Sequence, residues 1–122
     1  MSGSPDIAAS EADSAALDLA DVPAVEVVLT VAMHRMSAAA VSCGLAEDTV
    51  EHPAPEPDLA EARILITALA GLVTAAAPQI GSMHAAPLRD GLQALQRAFR
   101  EASPIPDPPG MGPGEDLTGF VG

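Results

Sequence analysis

An all-α fold of three helices is the class this sequence predicts, and three observations predict it. Residues 58–77 carry large aliphatic side chains at helical spacing behind an acidic cap. Residues 84–102 divide into one apolar and one polar side, and residues 22–43 form a long apolar run that ends at a glycine. Pro- and Gly-rich stretches separate and flank the three, so a helical domain over 21–103 is expected between two irregular ends.

Residues 1–20 mix Ser, Ala, Asp, Glu and Gly, with only Ile7, Leu17 and Leu19 as large aliphatics. That is too little apolar surface to offset the entropy of ordering, and a disordered acidic arm is predicted. Asp21-Val22-Pro23 then opens the first helix, with Asp as the cap and Pro in the first turn, where its missing N–H costs little. The helix is expected to stop near Cys43, with Gly44 as a left-handed cap. Val25, Val28, Leu29, Ala32, Met36, Ala39 and Cys43 make its main apolar face, and Val27, Val31, Ala38 and Leu45 a second. Glu26, Thr30, His34 and Ser37 leave only a narrow polar strip. A helix apolar on two sides points to self-association or a protein partner. Residues 46–57 follow as a linker, in which Pro53, Pro55 and Pro57 favour extended backbone.

The central helix starts at a capping box: Asp58 can accept from the N–H of Glu61, and Glu61 can reach back to the N–H of Asp58. Leu59, Ala62, Leu65, Ile66, Leu69, Leu72 and Val73 share its broad apolar face. The opposite side, including Ala60, Ile64, Thr67, Ala68 and Gly71, is mostly small and suits the close approach of another helix. The helix is expected to weaken through Ala75-Ala76-Ala77 and to break by Gly81. On the third helix Leu88, Gly91, Leu92, Leu95, Ala98, Phe99 and Ala102 oppose Arg89, Asp90, Gln93, Gln96, Arg97, Arg100 and Glu101. The short connection makes the second and third helices an antiparallel hairpin, which is too small to stand alone and must recruit the first helix or a second copy. From Ser103 on, the density of Pro and Gly predicts a disordered tail over 104–122.

Composition narrows the function classes. The net charge of -12 sits at the ends: residues 1–57 carry -9, 58–103 carry 0 and 104–122 carry -3. Such a chain repels nucleic acid and anionic lipid at long range, and DNA and membranes are not expected partners. The most apolar run, Ile64 to Ala77, is shorter than the roughly 20 residues a bilayer span needs. Residues 1–20 lack the basic start of a signal peptide, so a cytoplasmic protein is expected.

No constellation of catalytic or metal-binding residues stands out. Cys43 is the only cysteine, which excludes an internal disulfide framework, and in its Ala-rich setting it reads as a packed hydrophobe. His34, His52 and His84 lack the close spacing of a metal-binding face. No cofactor is expected, and no enzyme. Two surfaces remain as candidates. One is the apolar face of Val25, Leu29, Met36, Leu65, Leu69 and Leu72, suited to a second copy or a protein partner. The other is the arginine face of the third helix, Arg89, Arg97 and Arg100, whose planar guanidinium groups suit phosphate and hence RNA.

Met36-Ser37-Ala38-Ala39-Ala40-Val41, Asp58-Leu59-Ala60-Glu61-Ala62-Arg63, and His84-Ala85-Ala86-Pro87-Leu88-Arg89-Asp90 with Gln93 to Ala102 together resemble a family of small bacterial proteins, domain of unknown function 1844, in its actinobacterial form. The resemblance covers about residues 24–103. It implies a link to translation, because genes of the family often lie beside those for translation initiation factor three and ribosomal proteins. It implies no catalytic residues. The expectation for the whole chain is a small, non-enzymatic helical interaction protein, with a ribosome or RNA binder as the alternative.

Overall fold

A computed structural model describes residues 23–46, 51, 53 and 56–121 of the chain. The expected acidic arm 1–20, the Asp21 cap, His52 and most of the linker lie outside the described residues. The described residues hold no strand, and three long helices account for the core: α1 (Ala24–Ser42), α2 (Leu59–Ile80) and α3 (Ser82–Ala102). A single-turn helix, α4 (Glu115–Thr118), follows.

The helices begin and end where local chemistry allows. Pro23 holds the position before α1, with its carbonyl accepting from the N–H groups of Glu26 and Val27. Past Ser42 the chain closes in a Schellman motif: Leu45 N–H bonds to Ala40 O, Gly44 N–H bonds to Val41 O, and Gly44 takes the left-handed φ of 87°. Asp58 caps α2 by accepting from Glu61 N–H at 3.1 Å. Only that half of the expected capping box forms, because the N–H of Asp58 donates instead to Ser42 O at 2.8 Å. The linker thus leaves and returns to one place, and α1 and α2 run antiparallel. α2 also runs three residues beyond the expected Ala77, carrying Pro78 on its exposed side, before Gly81 at φ 86° turns the chain into α3.

The core forms where the apolar sides meet. Ile66, Leu69 and Leu92 are the largest wholly buried side chains, joined by Ala32, Ala39, Ala62, Val73, Leu88, Leu95 and Phe99. α2 is the middle helix, packed on both α1 and α3, and the apolar side of α3 is the one its sequence predicts. Both neighbours meet α2 on its aliphatic side. Its small-residue side, Ala60, Ile64, Thr67 and Ala68, stays open to solvent and not under a helix as expected.

The segment after Ser103 departs furthest from the sequence expectation of a disordered tail. It folds back along α2 and α3, with Pro113, Gly114, Glu115 and Val121 buried. Pro and Gly exclude regular structure there, but they do not exclude a fixed irregular path. Side chains projecting from α2 and α3 hold that path.

Candidate functional site

Three features of the bundle could carry function: the strapped C-terminal segment, the arginine side of α3 and the outer side of α1.

The strap converges on one carboxylate. Glu115, 4% exposed, accepts from Gly112 N–H and Val121 N–H at 2.8 Å each and from Arg100 Nη2 at 3.2 Å. Gln96, also buried, donates from Nε2 to Pro113 O and to Thr118 Oγ1, both at 3.1 Å. Arg63 on α2 gives one guanidinium nitrogen to both oxygens of Asp107, at 2.8 and 3.0 Å, while Arg100 Nη1 donates to Asp107 O at 3.0 Å. Both phenylalanines lie under guanidinium groups, Phe99 beneath Arg63 at 5.0 Å and Phe120 beneath Arg100 at 4.7 Å. Gly114 sits against α2 with a left-handed φ of 77°, where a Cβ would come within 2.5 Å of that of Ala70. Sequence reasoning placed Gln96 on the polar side of α3 and left Glu115 in the tail. The readable signal for Gln96 is its place in the Leu92, Leu95, Phe99 sector of the helix.

This strap changes the arginine face. Arg89 and Arg97 are exposed, but Arg100 is half-buried and its two terminal nitrogens are engaged by Glu115 and Asp107. Among the described residues the predicted phosphate-binding trio is therefore reduced to two exposed side chains, because the acidic tail has taken the third. Arg89 borders a hollow of about 270 Å³ with Thr74, Gln93, Leu117 and Thr118.

The predicted interaction face is used inside the chain. Leu69 is wholly buried, Leu29, Met36, Leu65 and Leu72 pack against the core, and Val25 is half-buried beside Leu72 in a groove between α1 and α2. Those six residues close the bundle, because the aliphatic sides of α1 and α2 face each other. What remains open is the opposite side of α1: Val27, Val31, Val41 and Leu45 are between 37% and 59% exposed. His34 and Ala38 lie between them, and a hollow of about 460 Å³ is lined by Thr30, Val31, His34, Arg35, Ala38 and Leu65. A second groove between α1 and α3 is lined by Leu29, Met33, Met36, Met83, His84, Pro87 and Leu88.

Among the described residues, reactive side chains are not gathered into a cluster. Cys43 is buried in the core, and burial pushes its thiol above the usual 9.0, which holds it neutral. Among the described residues, no cluster of three His, Cys, Asp or Glu side chains could hold a metal. By length and composition α1 and α2 could each cross a bilayer, more than the short run Ile64 to Ala77 suggests. α2 is the packed centre of this bundle, however, and α1 bears Glu26, His34 and Arg35 along its length.

The arrangement is that of a small all-α bundle whose distinctive surfaces are helix sides and a peptide strap. The chain belongs to the family described as domain of unknown function 1844 (DUF1844), which it matches over residues 24–101, from the start of α1 almost to the end of α3. The strap lies beyond the matched region. No curated protein and no solved structure matches the chain.

Proposed function

We propose that this protein is a non-enzymatic interaction module of the cytosol, which works through the outer side of α1 to bind itself or another protein. One observation carries the reading: α1 is apolar on both sides, and among the described residues only one side is packed against other helices. A continuous apolar strip along a helix in water is the usual mark of a helix-docking surface. The RNA reading has less support, since Arg100 is engaged by the strap and the chain carries a net charge of -12. A role near the translation apparatus rests on the family resemblance alone.

The test is capture of partners from native cytosol by the tagged full chain, with and without ribonuclease, beside a Val31→Glu variant. Val31 is 40% exposed, so the variant keeps the fold while placing a charge in the strip. Partners, or a second tagged copy, held by the wild type through ribonuclease treatment and lost by the variant are the expected result. Equal recovery by both proteins would remove the outer side of α1 from the function, and loss of all partners on ribonuclease treatment would favour RNA.

A further inference from the structure

The strap meets the bundle as a bound peptide meets a receptor. Among the described residues, no backbone–backbone hydrogen bond joins residues 107–121 to the three long helices. Side chains of α2 and α3 supply the hydrogen bonds instead. Gln96 Nε2 donates to Pro113 O at 3.1 Å, Arg100 Nη1 donates to Asp107 O at 3.0 Å, and the guanidinium groups of Arg63 and Arg100 pair with the carboxylates of Asp107 and Glu115. Ala70 is the floor of the groove, so near to Gly114 that a Cβ there would come within 2.5 Å of it.

The strap also carries its own shape. Met111 N–H donates to Pro108 O at 2.9 Å, Glu115 N–H to Gly112 O at 3.0 Å and Gly119 N–H to Glu115 O at 2.8 Å. Two of the three hydrogen bonds that the Glu115 carboxylate accepts, from Gly112 N–H and Val121 N–H, lie within the strap, and only the 3.2 Å bond from Arg100 comes from outside. A segment bonded to itself and held by side chains can leave without breaking a backbone bond of any helix. The family match over residues 24–101 likewise holds Arg63, Gln96 and Arg100 but not the strap.

We propose that the groove of Arg63, Ala70, Gln96, Phe99 and Arg100 is a docking site for an acidic peptide segment of another protein, and that the strap is its resident competitor. The partner's chemistry is read from the strap. It has two carboxylates eight residues apart, as at Asp107 and Glu115, and a glycine directly before the second, as at Gly114. An aromatic ring follows, as at Phe120, which lies 4.7 Å beneath Arg100. Charge fits this assignment: residues 104–122 carry -3 with no basic residue, and opening leaves two guanidinium groups that another carboxylate-bearing chain satisfies. A peptide suits the groove better than RNA, because Gln96 and Arg100 donate to backbone carbonyl oxygens and the Ala70 floor admits only a chain without a Cβ. A sugar–phosphate strand has neither a backbone carbonyl nor so slim a backbone. The strap of a second copy would make only the contacts already made and would add the cost of association. The tether at Ser103 holds a chain's own strap at an effective concentration on the order of millimolar, so only a partner with further contacts displaces it. This groove is separate from the outer side of α1, and its docking role stands or falls independently of that surface.

The experiment is fluorescence anisotropy of a labelled peptide of residues 104–122, titrated with the full-length wild type and with full-length Glu115→Ala. Apparent affinity scales with the fraction of chains whose strap is open, so the variant is expected to bind at least about tenfold tighter than the wild type. Adding Arg63→Gln, at a side chain 45% exposed, should weaken that binding about threefold, and adding Arg100→Gln about tenfold, with helical circular dichroism unchanged. A second peptide, which keeps Asp107, Gly112 to Glu115 and Phe120 and has Ser elsewhere, stands in for the partner. It should bind Glu115→Ala within about tenfold of the first peptide and lose that binding on Glu115→Gln in the peptide.

Equal affinity for wild type and Glu115→Ala, indifference to both arginine substitutions, equal binding of a scrambled peptide, or failure of the second peptide would each overturn the docking site. So would absence of binding to Glu115→Ala while amide exchange at Gly112 and Val121 shows its strap open. Unchanged protection of those amides in the variant would overturn the strap as competitor. A wild-type dimer in sedimentation equilibrium that Glu115→Ala abolishes would assign the groove to the strap of a second copy, and displacement of the peptide by a short oligouridylate would assign it to RNA. Either result would overturn another protein as the occupant.

Discussion

Replacing Glu115 by Ala is expected to release the C-terminal strap while leaving the three-helix bundle folded. The carboxylate is 4% exposed and accepts three hydrogen bonds, from Gly112 N–H, Val121 N–H and the Arg100 guanidinium. Hydrogen bonds to a charged group are worth about 1.5–3 kcal/mol each, and stranding one partner of a buried ion pair costs about 3–5 kcal/mol. The loss is therefore about 3–5 kcal/mol, concentrated on one terminal segment. Weaker ties are left to hold the strap: Gln96 donates to Pro113 O and Thr118 Oγ1, neutral hydrogen bonds worth about 0.5–1.5 kcal/mol each, Arg100 Nη1 donates to Asp107 O, and the Arg63–Asp107 pair has side chains 45% and 27% exposed, which places it among ion pairs worth at most about 1 kcal/mol. The bundle keeps Ile66, Leu69 and Leu92, which are buried by helix packing. Native-state hydrogen exchange reads the effect directly, since local opening free energy sets amide protection. A loss of 3 kcal/mol lowers protection about a hundredfold, and this is expected at the amides of Gly112 and Val121 but not at those of Ile66 or Leu92. Protection at Gly112 and Val121 within threefold of the wild type would refute the reasoning. Equal loss throughout α2 and α3 would show that strap and bundle unfold as one unit.

Gly114→Ala is expected to loosen the same strap by a different route, because a left-handed φ of 77° costs a Cβ-bearing residue about 1–2 kcal/mol and the new Cβ meets Ala70 at 2.5 Å; faster proteolysis within 105–121 is the measurement. Leu69→Ala removes a wholly buried side chain of the middle helix and should destabilise the whole domain by about 2–5 kcal/mol in urea unfolding. Cys43 should resist alkylation by iodoacetamide at pH 8 until the protein is unfolded. Its thiol is raised above 9.0 by burial, so the folded state holds the proton more tightly than the unfolded chain; stability from this group is present below about pH 9 and declines as pH rises further, which thermal unfolding from pH 8 to 10 tests.

The hairpin of α2 and α3 was legible because several signals agree there. The Asp58 cap, the Gly81 break and the apolar sector from Leu88 to Phe99 all point to the same two elements. The strap was not legible, because its order comes from no period. It depends on a buried carboxylate meeting Arg100, Gly112 and Val121, and on Gln96 reaching Pro113 and Thr118, contacts between residues whose pairing no local pattern announces. Composition measures how little regular structure a Pro- and Gly-rich segment can form, and it is silent about side chains that fix an irregular path from outside.

α1 shows a different limit. Its two apolar sides use nearly the same residue types, so polarity does not say which one is the core. Only tertiary packing distinguishes them. Ala32 and Ala39, seven residues apart, are wholly buried on the inner side, where small side chains let helices approach closely. The outer side keeps Val27, Val31 and Val41, and Leu45 just past the helix end, partly in water. Each of those valines and the leucine would gain about 25 cal/mol for every Å² of apolar surface removed from water, so the outer side retains a driving force that the inner side has already used in folding. The same helix thus stabilises the monomer with the side that carries Leu29, Ala32, Met36 and Ala39, and leaves Val27, Val31 and Val41 partly in water.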